Sequence, residues 1–305
     1  KNLPSHYLLF QNGMVLHLVV LYTRGDNFIW SDKIVFNPAV QTPWFHLNRA
    51  SYGQHANVYD SFETRVIEID KIPITVPKNI LQFVTESNKT FLECNYSQAE
   101  QFYKKYPKDT KPQALHFQKK GRQLLAKAKE ILDAMNIKFW LSSGTCLGWY
   151  RQCGIIPYSK DVDIGIWIKD YKDGLTEMFE DKGFLLKHLF GRLNDSFELS
   201  YQLGEVKLDI FFFYEENDHV WNGGTHAWTG QKYKYIFPKF TLCWTELLEL
   251  KVRVPCETEL YIIANYGHNW HVPVKDWQWN KSPPNVKENG MWPTKLWDTL
   301  IQVYD

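Results

Sequence analysis

The sequence predicts an α/β (α+β) fold in two parts, a strand-rich domain over residues 1–110 and a larger mixed-sheet domain over residues 111–305. Three observations carry this. Up to about Pro77 the chain consists of short apolar or alternating runs broken by Gly, Pro and Asn, the punctuation of strands and turns. Near residue 110 a basic stretch with two prolines, Lys104 to Pro112, ends that pattern, and a helical one follows with Leu124, Leu125, Ala128, Ile131, Leu132 and Met135 three and four residues apart. Beyond it helical and strand-like segments interleave, the order expected where helices lie against a mixed sheet.

The elements follow in order. Met14 to Tyr22, Phe28 to Phe36 and Arg65 to Val76 read as strands of the first domain. The second has its helix around Leu124 to Met135, a strand at Phe139 to Ser142, a tight Ser-Gly-Thr turn and a short helix through Leu147 to Gln152. A strand at Val162 to Ile168, a helix at about Tyr171 to Asp181, and strands at Glu198 to Gln202 and Val206 to Tyr214 come next. Beyond Asn222 the Gly, Lys and Trp content predicts loops, then a helix from Glu257 to Tyr266 and a tail rich in Trp.

Composition narrows the function. The 305 residues are 44% hydrophobic and 23% charged, an ordinary globular balance, and a net charge of +1 gives no footprint for nucleic acid or an anionic membrane. No window reaches the roughly 18 apolar residues of a membrane span. The first residue is Lys, so the sequence is expected to lack its natural N-terminus, including any anchor. Five cysteines leave at least one unpaired, and none stands in a CxxC pair. Four Asn-x-Ser/Thr sequons, at Asn88, Asn95, Asn194 and Asn280, favour a secretory protein weakly.

The chemistry gathers on carboxylates. In Asp161-Val-Asp163-Ile-Gly165-Ile-Trp-Ile168 the even positions are branched aliphatics, so as a strand it buries one face and projects both Asp side chains from the other, with Gly165 expected to leave open space there. Two carboxylates held together favour a cation between them, and hard oxygen donors suit Mg²⁺ or Mn²⁺. A bare Asp-x-Asp is short, and a surface strand with two solvated acids explains it as well. Asp209 changes the balance: Val206 to Phe213 is apolar around that one carboxylate, and a buried charge requires a metal, or a cap such as Lys207 or backbone N–H groups. Ser142-Ser143-Gly144-Thr145 ends a strand and opens a helix, where N–H groups and a hydroxyl suit phosphate oxygens, or where Thr145 merely caps the helix. Asp161, Asp163 and Asp209 are therefore the candidate metal and catalytic residues, and Asp209, or an acid near it, is the candidate proton acceptor. Ser143, Gly144, Thr145 and Gly148 are candidates for substrate binding, with Arg151 a further charge or a solvated helix residue. Trp277, Trp279 and Trp292 are candidates for stacking on sugar or base, although packing of the tail explains them better. Lys232, Lys234 and Lys239 offer charge to an acceptor phosphate or belong to a charged strand face.

Leu141-Ser-Ser-Gly-Thr-Cys-Leu-Gly148, Ile155-Ile-Pro157, Asp161-Val-Asp-Ile-Gly165 and Tyr266-Gly-x-x-Trp270 resemble the LicD family of the nucleotidyltransferase fold, over roughly residues 115 to 275. Trp140 to Gln152, Pro238 to Thr245 and Ser282 to Val286 extend the resemblance, along the whole chain, to a branch of that family that works in the Golgi lumen as type II membrane proteins. The resemblance implies transfer of ribitol-5-phosphate from CDP-ribitol to a GalNAc hydroxyl of the phosphorylated O-mannosyl glycan of α-dystroglycan, with release of CMP. It also implies Mg²⁺ or Mn²⁺ as cofactor and other Golgi glycosyltransferases, including a sister enzyme of the family, as partners. Ser159 stands where that sister offers an additional acid, and its cysteine-rich zinc site has no match here. Two other readings keep the residues: transfer of a different CDP-linked group such as phosphocholine, and a glycan-binding scaffold without catalysis.

Overall fold

The computed structural model describes residues 4–24, 28–32, 34, 57–60, 62–79, 81, 83 and 91–304. The chain divides into two compact units, Lys1–Phe91 and Leu92–Asp305. The first is strand-rich, as expected. It pairs β1 (His6–Gln11) with β2 (Met14–Val19), joins β3 (Tyr22–Arg24), β4 (Phe28–Ser31) and β5 (Asn57–Asp60), and pairs β6 (Thr64–Ile69) with β7 (Ile72–Pro77), all antiparallel. Asn12 and Gly13 turn β1 into β2 at φ 50° and 76°, and Asp70 and Lys71 turn β6 into β7 at φ 51° and 68°. Two left-handed residues in a two-residue loop match the right-handed twist of the flanking strands. Most of the predicted strand Phe28 to Phe36 beyond Asp32, and the sequon Asn88, lie outside the described residues.

The second unit is built on a nine-stranded sheet. Its strands are β8 (Phe139–Leu141), β9 (Asp161–Trp167), β10 (Leu185–Arg192), β11 (Asp195–Leu203), β12 (Val206–Glu215), β13 (His219–Thr225), β14 (Gln231–Pro238), β17 (Val286–Met291) and β18 (Ile301–Val303). Seven run in the order β17-β14-β13-β12-β11-β10-β18, and β8 and β9 join on one flank, β9 parallel to β12. A separate hairpin, β15 (Leu242–Leu247) with β16 (Leu250–Pro255), has contacts to β8. The predicted helix spans Pro112–Ala134, with Leu124, Leu125, Ala128, Ile131 and Leu132 all buried. Gly121 lets it approach the sheet, since a Cβ there would lie 3.2 Å from Ile155 and 3.5 Å from Val162.

Two expectations fail here. The helix predicted from Tyr171 starts only at Leu175, after Gly174 turns at φ 82°. The region beyond Asn222 is not loop: β13, β14, β15, β16 and β17 lie in it. Gly223 is a strand residue whose missing side chain makes room for Ser196, 2.3 Å from where a Cβ would sit. In β14 the lysines alternate with Tyr233 and Tyr235, and Lys232 and Lys234 lie 4.3 Å over the rings of Trp292 and Trp221. Glycine and lysine thus read as loop by composition but serve strand crossing and ring packing.

Two disulfides, Cys94–Cys153 and Cys243–Cys256, leave Cys146 free and buried. Cys153 caps the helix Ser143–Gln152 in the left-handed region at φ 52°, so the first bridge anchors that helix end across 59 residues of chain. Replacing Cys153 with Ser is expected to cost about 2–5 kcal/mol of stability. A variant that melts together with the parent under non-reducing conditions would contradict this.

Candidate active site

Register brings the acids together. β9 and β12 pair so that Asp163 faces Asp209 and Asp161 faces Lys207, while Ser200 on β11 faces Asp209 from the other side. Parallel neighbours lie about 4.8 Å apart, and the carboxylate oxygens of Asp161, Asp163 and Asp209 approach within 4.8 Å of one another. Asp163 is 6% exposed and Asp209 5%, whereas Asp161 is half-buried. Burial, then the neighbouring charges of Asp161 and Asp209, pushes the Asp163 carboxyl well above the usual range. Burial also raises Asp209, against the pull of Lys207 and Ser200.

Asp209 is capped as well as clustered. Ser200 Oγ donates to its Oδ1 at 2.5 Å, and Lys207 Nζ lies 2.9 Å from its Oδ2. Lys207 is one cation against three acids, and burying unpaired carboxylates costs several kcal/mol each. The set of carboxylate oxygens is compatible with a hard divalent cation, which would supply the missing positive charge. Asp161 accepts a hydrogen bond from Ser159 Oγ at 2.6 Å, so serine orients this acid.

The helix Ser143–Gln152 opens onto Asp163. Ser142 stands at its N-cap without capping it, because its hydroxyl is 2.8 Å from the Tyr261 hydroxyl instead. Asp163 takes that role: Thr145 N donates to its Oδ2 at 3.2 Å, and Asp163 N donates to Thr145 Oγ1 at 2.8 Å. Thr145 is therefore tied to the acid. Ser143 adopts φ 38°, an unfavourable left-handed conformation for a side-chain-bearing residue. Gly144 is glycine because Asp163 Oδ2 would lie 3.2 Å from a Cβ there. The Tyr266 hydroxyl stands 3.9 Å from the same point, and burial followed by the charge of Asp163 pushes its phenol up.

The other expected residues are placed differently. Gly148 is buried in the helix and faces the chain, not the site: a Cβ would lie 2.5 Å from the Gly154 carbonyl oxygen. Gly165 leaves no open space, because the Trp140 indole fills it, 2.3 Å from a Cβ. Arg151 is not a solvated helix residue. It is buried, donates to Gln152 Oε1 at 2.8 Å and to the Trp270 carbonyl at 3.4 Å, and lies 4.8 Å over Phe102. Burial lowers its pKa, and Tyr158, Tyr266 and Tyr103 raise it. Lys232 and Lys234 are held by Asp195 at 2.6 Å and Glu216 at 2.7 Å. Trp292 is buried, with its indole N–H donating to Thr225 Oγ1, and Trp277 packs on Tyr266. Trp279 is 44% exposed, with Tyr233 edge-on at 5.4 Å and its ring over Gly224, whose Cβ would lie 3.2 Å away.

Glu198 escaped notice in the sequence. It lies on the same face of β11 as Ser200 and diagonal to Asp209 across the ladder. It is half-buried, its carboxyl makes no hydrogen bond among the described residues, and burial and the charge of Asp209 push it up to about 8. An acid two positions before Ser200 on a predicted strand was the available signal, visible only once Ser200 was known to face Asp209.

Comparison with known proteins bears on this geometry. Residues 1–122 match the family model for the Fukutin N-terminal domain, and residues 136–257 match the model for the LicD/FKTN/FKRP nucleotidyltransferase domain. The chain is 48% identical over 304 residues to a protein of Macaca fascicularis named Ribitol-5-phosphate transferase FKTN, covering 99% of this chain and 66% of the relative. It is 47% identical over 304 residues, with the same coverage, to the Homo sapiens protein of that name. A shorter match, 27% over 95 residues, is to the human Ribitol 5-phosphate transferase FKRP and covers 28% of this chain and 19% of that protein. The chain thus spans 66% of the length of the first two relatives.

Proposed function

Because this chain belongs to the LicD/FKTN/FKRP nucleotidyltransferase family, we propose that it is a ribitol-5-phosphate transferase. It takes the group from CDP-ribitol and places it on a GalNAc hydroxyl of the phosphorylated O-mannosyl glycan of α-dystroglycan. The observation that carries this reading is the convergence of Asp161, Asp163 and Asp209 at the mouth of a helix whose first turn Asp163 itself caps. In this reading residues 111–305 are the catalytic domain and residues 1–110 its stem-side domain.

The acceptor oxygen attacks the phosphorus that bears ribitol. A new P–O bond forms, the bond to CMP breaks, and the acceptor proton must leave. Asp161, Asp163 and Asp209 would hold Mg²⁺ or Mn²⁺, which when bound neutralises the donor phosphates and the charge on departing CMP. Thr145 fixes the Asp163 carboxylate through its N–H. The N–H groups of Ser143 and Gly144, at the helix mouth, bind a donor phosphate oxygen. Gly148 contributes by letting the helix end close on Gly154, and buried Arg151 lends positive potential from beneath. Asp209 is occupied by Ser200 and Lys207, so the proton goes to Glu198. Trp279 offers its exposed face to an acceptor sugar.

The two disulfides suit an oxidising secretory compartment, and the Golgi lumen, with the protein as a type II membrane protein, is the proposed location. Other Golgi glycosyltransferases, among them one of the FKRP type, are the proposed partners. Among the described residues no helix is long and apolar enough to cross a membrane. A donor screen tests the reaction. CDP-ribitol, CDP-glycerol and CDP-choline are offered with a phosphorylated acceptor glycan, with and without divalent metal. CMP release is expected from CDP-ribitol with metal and not in EDTA. Turnover of CDP-choline but not CDP-ribitol would change the cargo, and acceptor binding with no turnover of any donor would make the chain a scaffold.

A further inference from the structure

Beside the acids lies a cavity of about 600 Å³ that the reaction as described leaves unused. Its walls come from the first turns of the helix Pro112–Ala134, from the loop before β9 and from the start of β12. Phe117 and Tyr158 give it flat apolar faces, Gln113, Ser159 and Lys160 give it hydrogen-bonding groups, and His116 pairs with Glu205 on its wall at 3.2 Å. The size and the mix of rings with a few polar groups are those of a small-molecule site, for which volumes of about 300–1,000 Å³ are usual.

Two links join the cavity to the acids. Ser159 lines it and donates to Asp161 Oδ1 at 2.6 Å. Tyr158 lines it and stands beside the Arg151 guanidinium, whose other phenolic neighbours include Tyr266 at the helix mouth. A ligand whose phosphates lie at Asp161 and Ser143 therefore has a cavity within reach of its other end. That end must be flat enough for Phe117 and Tyr158, and its edge must carry both donors and acceptors for Gln113 and Lys160. A pyrimidine base has two flat faces and one edge of donors and acceptors, whereas a polyol has no flat face.

We propose that this cavity seats the pyrimidine nucleoside of the nucleotide-activated donor, with Phe117 and Tyr158 against the base and Gln113 and Lys160 on its polar edge. The assignment rests on the transferase reading and extends it to the residues that hold the donor's nucleotide end. CMP is the probe, titrated into the chain with Mn²⁺ present, alongside the donor KM and kcat.

Phe117→Ala is expected to weaken CMP about 5- to 100-fold, the usual loss when an aromatic partner of a base is removed, and to raise the donor KM with little change in kcat. Gln113 is exposed, so Gln113→Ala keeps the fold, and a weakening of about fivefold is expected from a lost hydrogen bond. Binding of inorganic pyrophosphate should be the same in both variants as in the parent. Parent-like CMP affinity and donor KM in both variants, with the parent itself binding CMP, would overturn the cavity assignment alone. A parent that neither binds CMP nor turns over CDP-ribitol overturns the transferase reading and this assignment together.

Discussion

Asp163→Asn is expected to abolish transfer, with kcat/KM down by at least about a thousandfold, the scale seen when a group that stabilises charge in the transition state is lost. Asp161→Asn and Asp209→Asn should approach it, because the three act as one cluster and their losses are not additive. A second readout separates this from unfolding. Asp163 is buried beside two like charges, so neutralising it removes a cost from the metal-free fold and Asp163→Asn should melt at or above the parent temperature in EDTA. The pH dependence has a definite sign. A carboxyl raised in the folded state binds its proton more tightly there than in the unfolded chain, so the contribution of Asp163 to metal-free stability is greatest at low pH and falls as pH climbs from the unfolded carboxyl value through the raised one. Added Mn²⁺ should reverse this: at a hundred times its dissociation constant it stabilises by about 2.7 kcal/mol, more at pH 8 than at pH 5.5. Undiminished turnover by Asp163→Asn, or a melting temperature blind to Mn²⁺, would remove the cluster from the chemistry.

Much of this cluster was legible because strands report their faces. Asp161 and Asp163 alternate with Val162, Ile164 and Ile166, and all three aliphatics are buried. Asp209 drew attention as the single charge in an apolar run, and it sits in the central strand of the sheet. What the sequence does not encode locally is register. That Asp163 faces Asp209, and that Lys207 comes opposite Asp161, follows from a parallel pairing between segments more than forty residues apart, set by the packing of the whole sheet. The same limit hid Glu198, whose neighbour across the ladder is Phe211 and whose charged partner lies on the diagonal. Glycines misled for a related reason. Gly165 suggested open space but makes room for Trp140, and Gly148, a candidate for substrate binding, admits the Gly154 carbonyl. A missing side chain announces close approach without saying by what. Of the two readings for Arg151 only the solvated one fails, because helical position says little about burial when the helix is covered on nearly all sides, as its run of buried residues from Thr145 to Trp149 shows.

Glu198→Gln is expected to lower kcat by about a hundred- to ten-thousandfold, the range for removing a positioned proton acceptor, while leaving donor KM and the Mn²⁺ response of the melting temperature near those of the parent. The sheet order gives the reason. The helix mouth, where the proposed reaction puts the donor phosphates, and β8 lie on the β9 flank of the acids, and Glu198 lies on β11, the opposite flank. Beyond it stand Tyr235, whose phenol the charge of Glu198 and burial push up, and Trp279, whose carbonyl accepts from the Tyr235 hydroxyl at 2.9 Å. In the proposed reaction an acceptor sugar resting on Trp279 would approach from the Glu198 side, across the acids from the helix mouth, the arrangement an in-line displacement needs. Burial holds the Glu198 carboxyl above the usual carboxylate range, so it accepts a proton only as pH rises past that range and parental kcat should climb on an alkaline limb. The limb should vanish in Glu198→Gln and persist, shifted, in Glu198→Asp. If Gln at this position retained both the parental rate and the limb, the proton would have to leave by way of another group.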